Sequence, residues 1–316
     1  MPVLPLAAVL VRPVPVLQAH RCADDRYPAL AGEWVVGCVG DDQVNVAVSL
    51  VSGRVVTLKD PVFAPALGDG WLWATGRPSG GWELPVAARG GFDGEEPIMV
   101  PHHGVAPAAV TRAGATRLAV VPYETHIDLI DLAKHVWPRW DARPLPGESV
   151  AVGVGWAAWT ERDVQGDTGE NVWLVQTALA KTDLLSNGLS WAKTELLSNG
   201  LPAVVAGGAG DQHGVVGGGS SLWWVDGDEV VHLDLKTAEQ RRFPAFTGFE
   251  AGLAVADDGS VSCWEDRRGL DTPLGIDIRC SDGTVLDRPG DQRWPSLGGG
   301  WLIWREGEQI LATRAP

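Results

Sequence analysis

Histidine is the side chain best suited to acid–base work near neutral pH, and this chain of 316 residues carries seven. His102, His103 and His213, with His20, stand in short polar segments ahead of apolar runs. Gathered at one place, with Arg162 or Arg267 to steady a developing anion, His102, His103 or His213 would supply the general base or metal ligands of a lyase or hydrolase. No motif backs that chemistry, because His-x-x-x-His, His-Glu-x-x-His and Gly-x-Ser-x-Gly spacings are all missing. A second set lies in Asp163-Val164-Gln165-Gly166-Asp167-Thr168-Gly169-Glu170, where Asp163, Asp167 and Glu170 place three carboxylates in one glycine-bearing loop. Calcium or another divalent cation takes oxygen ligands in such flexible turns. A solvated hairpin tip has the same composition.

Charged residues recur behind apolar runs as Asp41-Asp42, Glu124, Glu161-Arg162-Asp163, Asp226 with Asp228, Glu265-Asp266-Arg267-Arg268 and Arg305-Glu306. Loops are polar for solvation alone. On a repeated scaffold, however, equivalent loops converge on one face, and Glu161, Arg162, Asp266, Arg267 and Arg293 are expected to line a ligand site there. Sixteen tryptophans against two tyrosines and five phenylalanines add an aromatic component. Trp34, Trp71, Trp156 and Trp301 recur at one repeat position and Trp159, Trp224 and Trp304 at another, which is how packing residues behave. Trp82, Trp137, Trp140, Trp173, Trp191 and Trp294 fall off those positions. Trp82 and Trp294 are the expected aromatic contacts to a ligand, as in a carbohydrate platform or an aromatic cage.

Composition narrows the partners. Forty Asp and Glu against 25 Lys and Arg give a formal charge of −15, which repels phosphate backbones and removes nucleic acid from consideration. With 45% apolar and 21% charged residues the chain can bury a large core. No stretch is long and apolar enough to span a bilayer. The segment from Met1 to Leu17 carries four prolines and Arg12 and lacks a basic start, so it does not read as a signal peptide. A soluble, cytoplasmic monomer is the default expectation, and a periplasmic or secreted one if a leader is removed. Cys22, Cys38, Cys263 and Cys280 form no Cys-x-x-Cys pair; two local cross-strand disulfides and buried free thiols both fit their spacing. Gly207-Gly208 and Gly217-Gly218-Gly219 lack a following Lys-Ser and read as turns.

The elements that would position these residues come from a repeat. Residues 25–36, Asp-Arg-Tyr-Pro-Ala-Leu-Ala-Gly-Glu-Trp-Val-Val, match residues 292–303, Gln-Arg-Trp-Pro-Ser-Leu-Gly-Gly-Gly-Trp-Leu-Ile, without a gap. A third copy runs from Phe63 to Leu72, and weaker ones span Pro107 to Val121, Val150 to Trp159, Gly214 to Trp224 and Glu250 to Ala256. Each is a short apolar strand, a glycine-containing turn and a second apolar strand. The second strands are expected near Trp34, Trp71, Arg117, Trp156, Leu222, Leu253 and Trp301, one blade of four strands apart. The longest interval holds a near duplication, Lys181 to Gly188 and Lys193 to Gly200, read as an insertion at a blade edge. Second hairpins follow, such as Val44 to Leu50 with Arg54 to Leu58, and Glu229 to Leu235 with Gln240 to Phe243.

The fold expected is therefore all-β: a single closed β-propeller of seven four-stranded blades at about 19–60, 61–99, 100–141, 142–200, 201–246, 247–288 and 289–316. The last repeat is one strand short, and the segment 3–17 is expected to complete it, because an unpaired sheet edge is costly and prone to aggregate. The Asp-x-Arg-x-Pro-like segment, glycine turn and Trp-rich second strand resemble the TolB-like, or WD40-like, bacterial β-propeller repeats. That resemblance implies a propeller with a central channel and a scaffold or binding role, and it transfers no catalytic residues. The leading expectation is a non-enzymatic binding propeller that presents a loop-rich face to a protein or small ligand. The alternatives are the His/Arg enzyme above and a carbohydrate binder using exposed tryptophans.

Overall fold

The computed structural model describes residues 14–18, 29–39, 44–57, 66–68, 71–73, 84–86, 98–100, 109–113, 116–122, 126–131, 139–141, 150–153, 155–162, 170–176, 203–206, 212–245, 252–269 and 275–316. Within them the chain is all-β. After β1 (Val14–Gln18) the strands come in groups that each form one antiparallel sheet in chain order. Sheet one holds β2 (Ala29–Ala31), β3 (Trp34–Val39), β4 (Val44–Ser49) and β5 (Val55–Thr57). Sheet two holds β6 (Ala66–Gly68), β7 (Trp71–Trp73), β8 (Leu84–Val86) and β9 (Ile98–Val100). Sheet three holds β10 (Ala109–Ala113), β11 (Thr116–Pro122), β12 (His126–Asp131) and β13 (Arg139–Asp141). Sheet four holds β14 (Val150–Gly153), β15 (Trp156–Arg162), β16 (Glu170–Gln176) and β17 (Ala203–Ala206). Sheet five holds β18 (Gln212–Gly218), β19 (Ser221–Asp226), β20 (Glu229–Asp234) and β21 (Gln240–Pro244). Sheet six holds β22 (Leu253–Val255), β23 (Ser262–Gly269), β24 (Gly275–Cys280) and β25 (Val285–Leu286). Sheet seven holds β26 (Gln292–Gly298), β27 (Trp301–Glu306), β28 (Gln309–Arg314) and, on its far side, β1.

Why these segments form strands is visible in sheets five and seven. Valine, isoleucine, leucine and tryptophan fill consecutive positions of β19 and β27, and both faces of these strands are buried between neighbouring sheets. One face of sheet five, with Leu222, Trp224 and Val231, packs with Trp156, Ala158 and Leu174 of sheet four. Its other face, with Trp223, Val225 and Val230, packs on Trp264 of sheet six. Cys263, Ile278 and Cys280 of sheet six then meet Leu302, Trp304 and Leu311 of sheet seven, whose Ile303, Ile310 and Ala312 meet Leu30 and Val35 of sheet one. The first strands of the sheets touch in series: β2 with β6, β6 with β10, β10 with β14, β14 with β18, β18 with β22, β22 with β26, and β26 with β2.

Several details differ from the sequence expectation. Leu253 does not begin a second strand; it lies in β22, opposite Trp264, and the second strand of sheet six starts at Ser262. A longer turn, Asp257-Asp258-Gly259-Ser260, joins the two and shifts the apparent repeat. Sheet four extends past the boundary expected at residue 200, since Ala203–Ala206 is its outer strand. Gly217 and Gly218 are strand residues, not turn residues. A Cβ on Gly217 would strike the Trp156 indole, and one on Gly218 the Ala256 carbonyl. Their smallness is set by packing between sheets. Cys263 and Cys280 face one another across β23 and β24 and are disulfide-bonded. Cys22 lies outside the described residues.

Candidate binding face

The register brings the start of each first strand beside the end of each second strand: Gln212 opposite Asp226, and Gln292 opposite Glu306. We call the rim they form the upper face. Aligning the sheets by their buried tryptophans reveals a repeated triplet at this rim: Trp159-Thr160-Glu161, Trp224-Val225-Asp226, Trp264-Glu265-Asp266 and Trp304-Arg305-Glu306. The tryptophan is buried in each case. The acid at the third place is held in sheets four, five and six by its own sheet, and in sheet seven by the segment that leads into it from β25. Glu161 Oε2 accepts the Trp159 indole N–H at 3.3 Å. Asp226 accepts from Gln212 Nε2 at 2.9 Å and from Arg242 at 3.0 Å. Asp266 is paired with Arg279, and Glu306 takes a two-pronged contact from Arg288 at 2.9 and 3.2 Å. Three of these acids tie the rim of a sheet to itself, and Glu306 ties sheet seven to the connection from sheet six.

The middle residue of the triplet faces the next sheet, and its chemistry varies. Val225 is ordinary core. Glu265 is a carboxylate with no exposed surface. Its Oε1 accepts the backbone N–H of Trp294, in the neighbouring sheet, at 2.7 Å, and its Oε2 lies 3.3 Å from Arg267. Burial raises the Glu265 carboxyl above the ordinary carboxylate range; the Trp294 N–H, Arg267 and Arg293 pull it part of the way back.

Trp294 is the unusual backbone of the rim. Both β18 and β26 carry a bulge, between His213 and Val216 and between Arg293 and Ser296. The left-handed place in that bulge is Gly214 in sheet five, with φ 65°, but Trp294 in sheet seven, with φ 52°. A glycine takes this conformation freely; a bulky side chain there costs about 1–2 kcal/mol. Glu265 offsets the strain through its charge-assisted hydrogen bond. Gly252 makes room for the arrangement, since a Cβ on it would lie 2.9 Å from Pro295 Cδ and 3.1 Å from Trp294 Cα. The half-buried Trp294 ring has the Arg305 guanidinium 5.1 Å from its centre. Beside it, Arg293 pairs with Asp291 at 2.8 Å, and Asp291 also accepts the Ile276 N–H of sheet six at 3.2 Å.

Of the residues singled out from sequence, Glu161, Asp266, Arg267, Arg293 and Trp294 all sit at the upper ends of their sheets. Arg162 stands there too, opposite Glu170. The loop expectation is corrected for Glu161 and Arg162 in β15, Asp226 in β19, Arg305 and Glu306 in β27, and Glu265 to Arg268 in β23, all of them strand residues; β23 runs on to Gly269, paired with Gly275, and Glu265 and Asp266 are buried. His213 is likewise a buried strand residue. His20, His102, His103, Trp82, Trp137, Trp191, Asp163 and Asp167 lie outside the described residues, as do the side chains of Arg162, Trp140 and Glu170. Among the described residues no group of three or more His, Cys, Asp or Glu is arranged to hold a metal ion. Sequence reasoning missed Arg279, Arg288, Asp291 and the buried pair Gln212 and Gln292. Placing Ser262, rather than Leu253, at the start of the second strand would have exposed the Trp-x-acid triplet in sheet six.

Neither a family model nor a curated protein matches this chain. Solved structures do. The β-propeller domain of the Swd1 protein of Myceliophteria thermophila is 12% identical, with a TM-score of 0.56 over 94% of this chain and 99% of that one. The WD40 domain of SCAP from fission yeast is 10% identical, with a TM-score of 0.53 over 96% and 97%. A prolyl endopeptidase is 15% identical with a TM-score of 0.60, and the match covers 91% of this chain but 46% of that one. At these identities the likeness speaks for architecture alone: the chain is an all-β protein of four-stranded antiparallel sheets with a WD40-like propeller fold.

Proposed function

We propose that the chain forms one closed ring of seven blades and acts as a binding or scaffold propeller, with the upper face of sheets five to seven engaging a protein partner. Circular contact of the first strands, and β1 lying beside β28, support the closed form. The aligned Asp-x-Arg-x-Pro-like segments support a TolB-like flavour of repeat. The observation that carries the binding role is Trp294. A half-buried indole held in a left-handed bulge, where the equivalent position in sheet five is glycine, is backbone strain stored at a rim, and such strain concentrates at functional sites. Tryptophan and arginine together are also the side chains most enriched among interface anchors.

The test is cross-linking mass spectrometry on the full chain mixed with extract from its source organism. Proteins bound through the upper face give cross-links clustered around residues 288–294 and 305–309, lost in Trp294→Ala and retained when Asp258, on the opposite rim, is changed to Asn. Cross-links confined to other surfaces, or unchanged by Trp294→Ala, contradict the assignment.

A further inference from the structure

Arg305 occupies, at the seam between sheets seven and one, the place that Glu265 occupies between sheets six and seven. There the similarity ends. Glu265 is saturated by Trp294 and Arg267. Arg305 donates its Nε–H to the Gly307 carbonyl at 2.8 Å, and its guanidinium lies over the Trp294 ring. Among the described residues neither of its terminal nitrogens meets a carboxylate. Four described arginines around it are compensated: Arg267 by Glu265, Arg279 by Asp266, Arg288 by Glu306 and Arg293 by Asp291. Among the described residues of sheets six and seven the rim therefore holds one cation over, fixed at its Nε and backed by an aromatic face.

We infer that Arg305, stacked on Trp294, is the anchor for a carboxylate side chain of a bound peptide. This rests on the proposal that the upper face binds a protein. Three observations support it. A guanidinium with its Nε already satisfied presents its two terminal nitrogens as a planar fork, the geometry that fits a carboxylate in a bidentate pair. Stacking on the indole limits the rotamers Arg305 would lose on binding. Glu265 then acts as a positioning residue, since it holds the backbone that aims the indole. The formal charge of −15 sets the ligand class further: it penalises a dianionic phosphate more than a single carboxylate, and disfavours long acidic runs. The expected epitope is one Asp or Glu within an otherwise neutral or basic segment.

The test is a randomised array of end-capped peptides probed with the full chain, followed by affinity measurements on the best binder. Wild type is expected to select Asp or Glu at one position. Replacing that residue by Asn or Gln, or making Arg305→Gln, should weaken binding by about tenfold to a hundredfold. Arg305→Lys, which keeps the charge but loses the fork, should recover only part of it. Arg314→Gln removes the other arginine stacked on a tryptophan, Trp301, and should leave binding unchanged. Acid selection that persists in Arg305→Gln overturns the inference. Selection of basic or apolar peptides that is lost in Trp294→Ala also overturns it, while keeping the upper face as the binding surface. No peptide bound at all counts against both.

Discussion

At the scale of single residues the molecule turns on how a buried carboxylate and a strained tryptophan hold each other. Because the Glu265 carboxyl is raised in the folded chain, chiefly by burial, its charge is a net cost at neutral pH. The folded state then binds a proton more readily than the unfolded state, so Glu265 contributes stability as pH falls from its folded pKa toward the ordinary carboxylate value, and loses that contribution as pH rises. Glu265→Gln removes this proton linkage. The variant is expected to compare best with wild type at neutral pH and progressively worse as pH is lowered into the carboxylate range, as followed by thermal melts at stepped pH. A constant difference across that range would mean that the Glu265 carboxyl is not raised in the folded chain. Of this pairing the sequence displayed only half. Trp294 stands out as a tryptophan off the repeated positions, but Glu265 reads as one more acid in a polar run, because nothing local announces that β23 continues through it.

At the scale of strands and sheets, packing between neighbours sets which residues must be small and which must be joined. The Trp156 indole fills the space over Gly153 and Gly217 and donates to the Gly219 carbonyl at 3.0 Å. Gly217→Ala is expected to lower stability by about 1–3 kcal/mol through overpacking, read by chemical denaturation, whereas Gly227→Ala, at a turn with open space around it, should show only the backbone cost of its positive φ. In sheet six the bond between Cys263 and Cys280 closes a separation of 17 residues. Replacing both by serine should cost about 3 kcal/mol, from the entropy the cross-link removes from the unfolded chain, and wild type in reductant should approach the variant. The repeat grammar made most of these elements readable: strand, glycine turn, strand, with tryptophan at fixed places. It failed where a turn lengthened, at Asp257 to Ser260. The same lesson explains Gly217-Gly218, whose composition says turn and whose neighbour, a tryptophan from another sheet, says close approach.

At the scale of the whole molecule, the proposed ring requires the chain to return to its start. The last repeat supplies three strands where the other sheets have four, and β1 lies antiparallel to β28 with Val14 opposite Ala312 and Gln18 opposite Gln309. That pairing covers the edge of sheet seven, the sheet of Trp294 and Arg305, so the rigidity of the proposed binding face and the proposed closing of the ring rest on the same contact. The first strand was legible in part, because a terminal apolar segment with no partner met a terminal sheet with a missing member: of the expected 3–17, the stretch from Val14 pairs with β28 and residues 3–13 lie outside the described residues. Charge and rim chemistry were less so, since pairing across sheets cannot be read from spacing within them. Hydrogen exchange measured along the intact chain tests the closing most directly. With the ring closed through β1, the amides of residues 14–18 and 309–314 are expected to share one level of protection and to lose it together as denaturant is raised. Residues 14–18 exchanging at unprotected rates while 309–314 stay protected would contradict it.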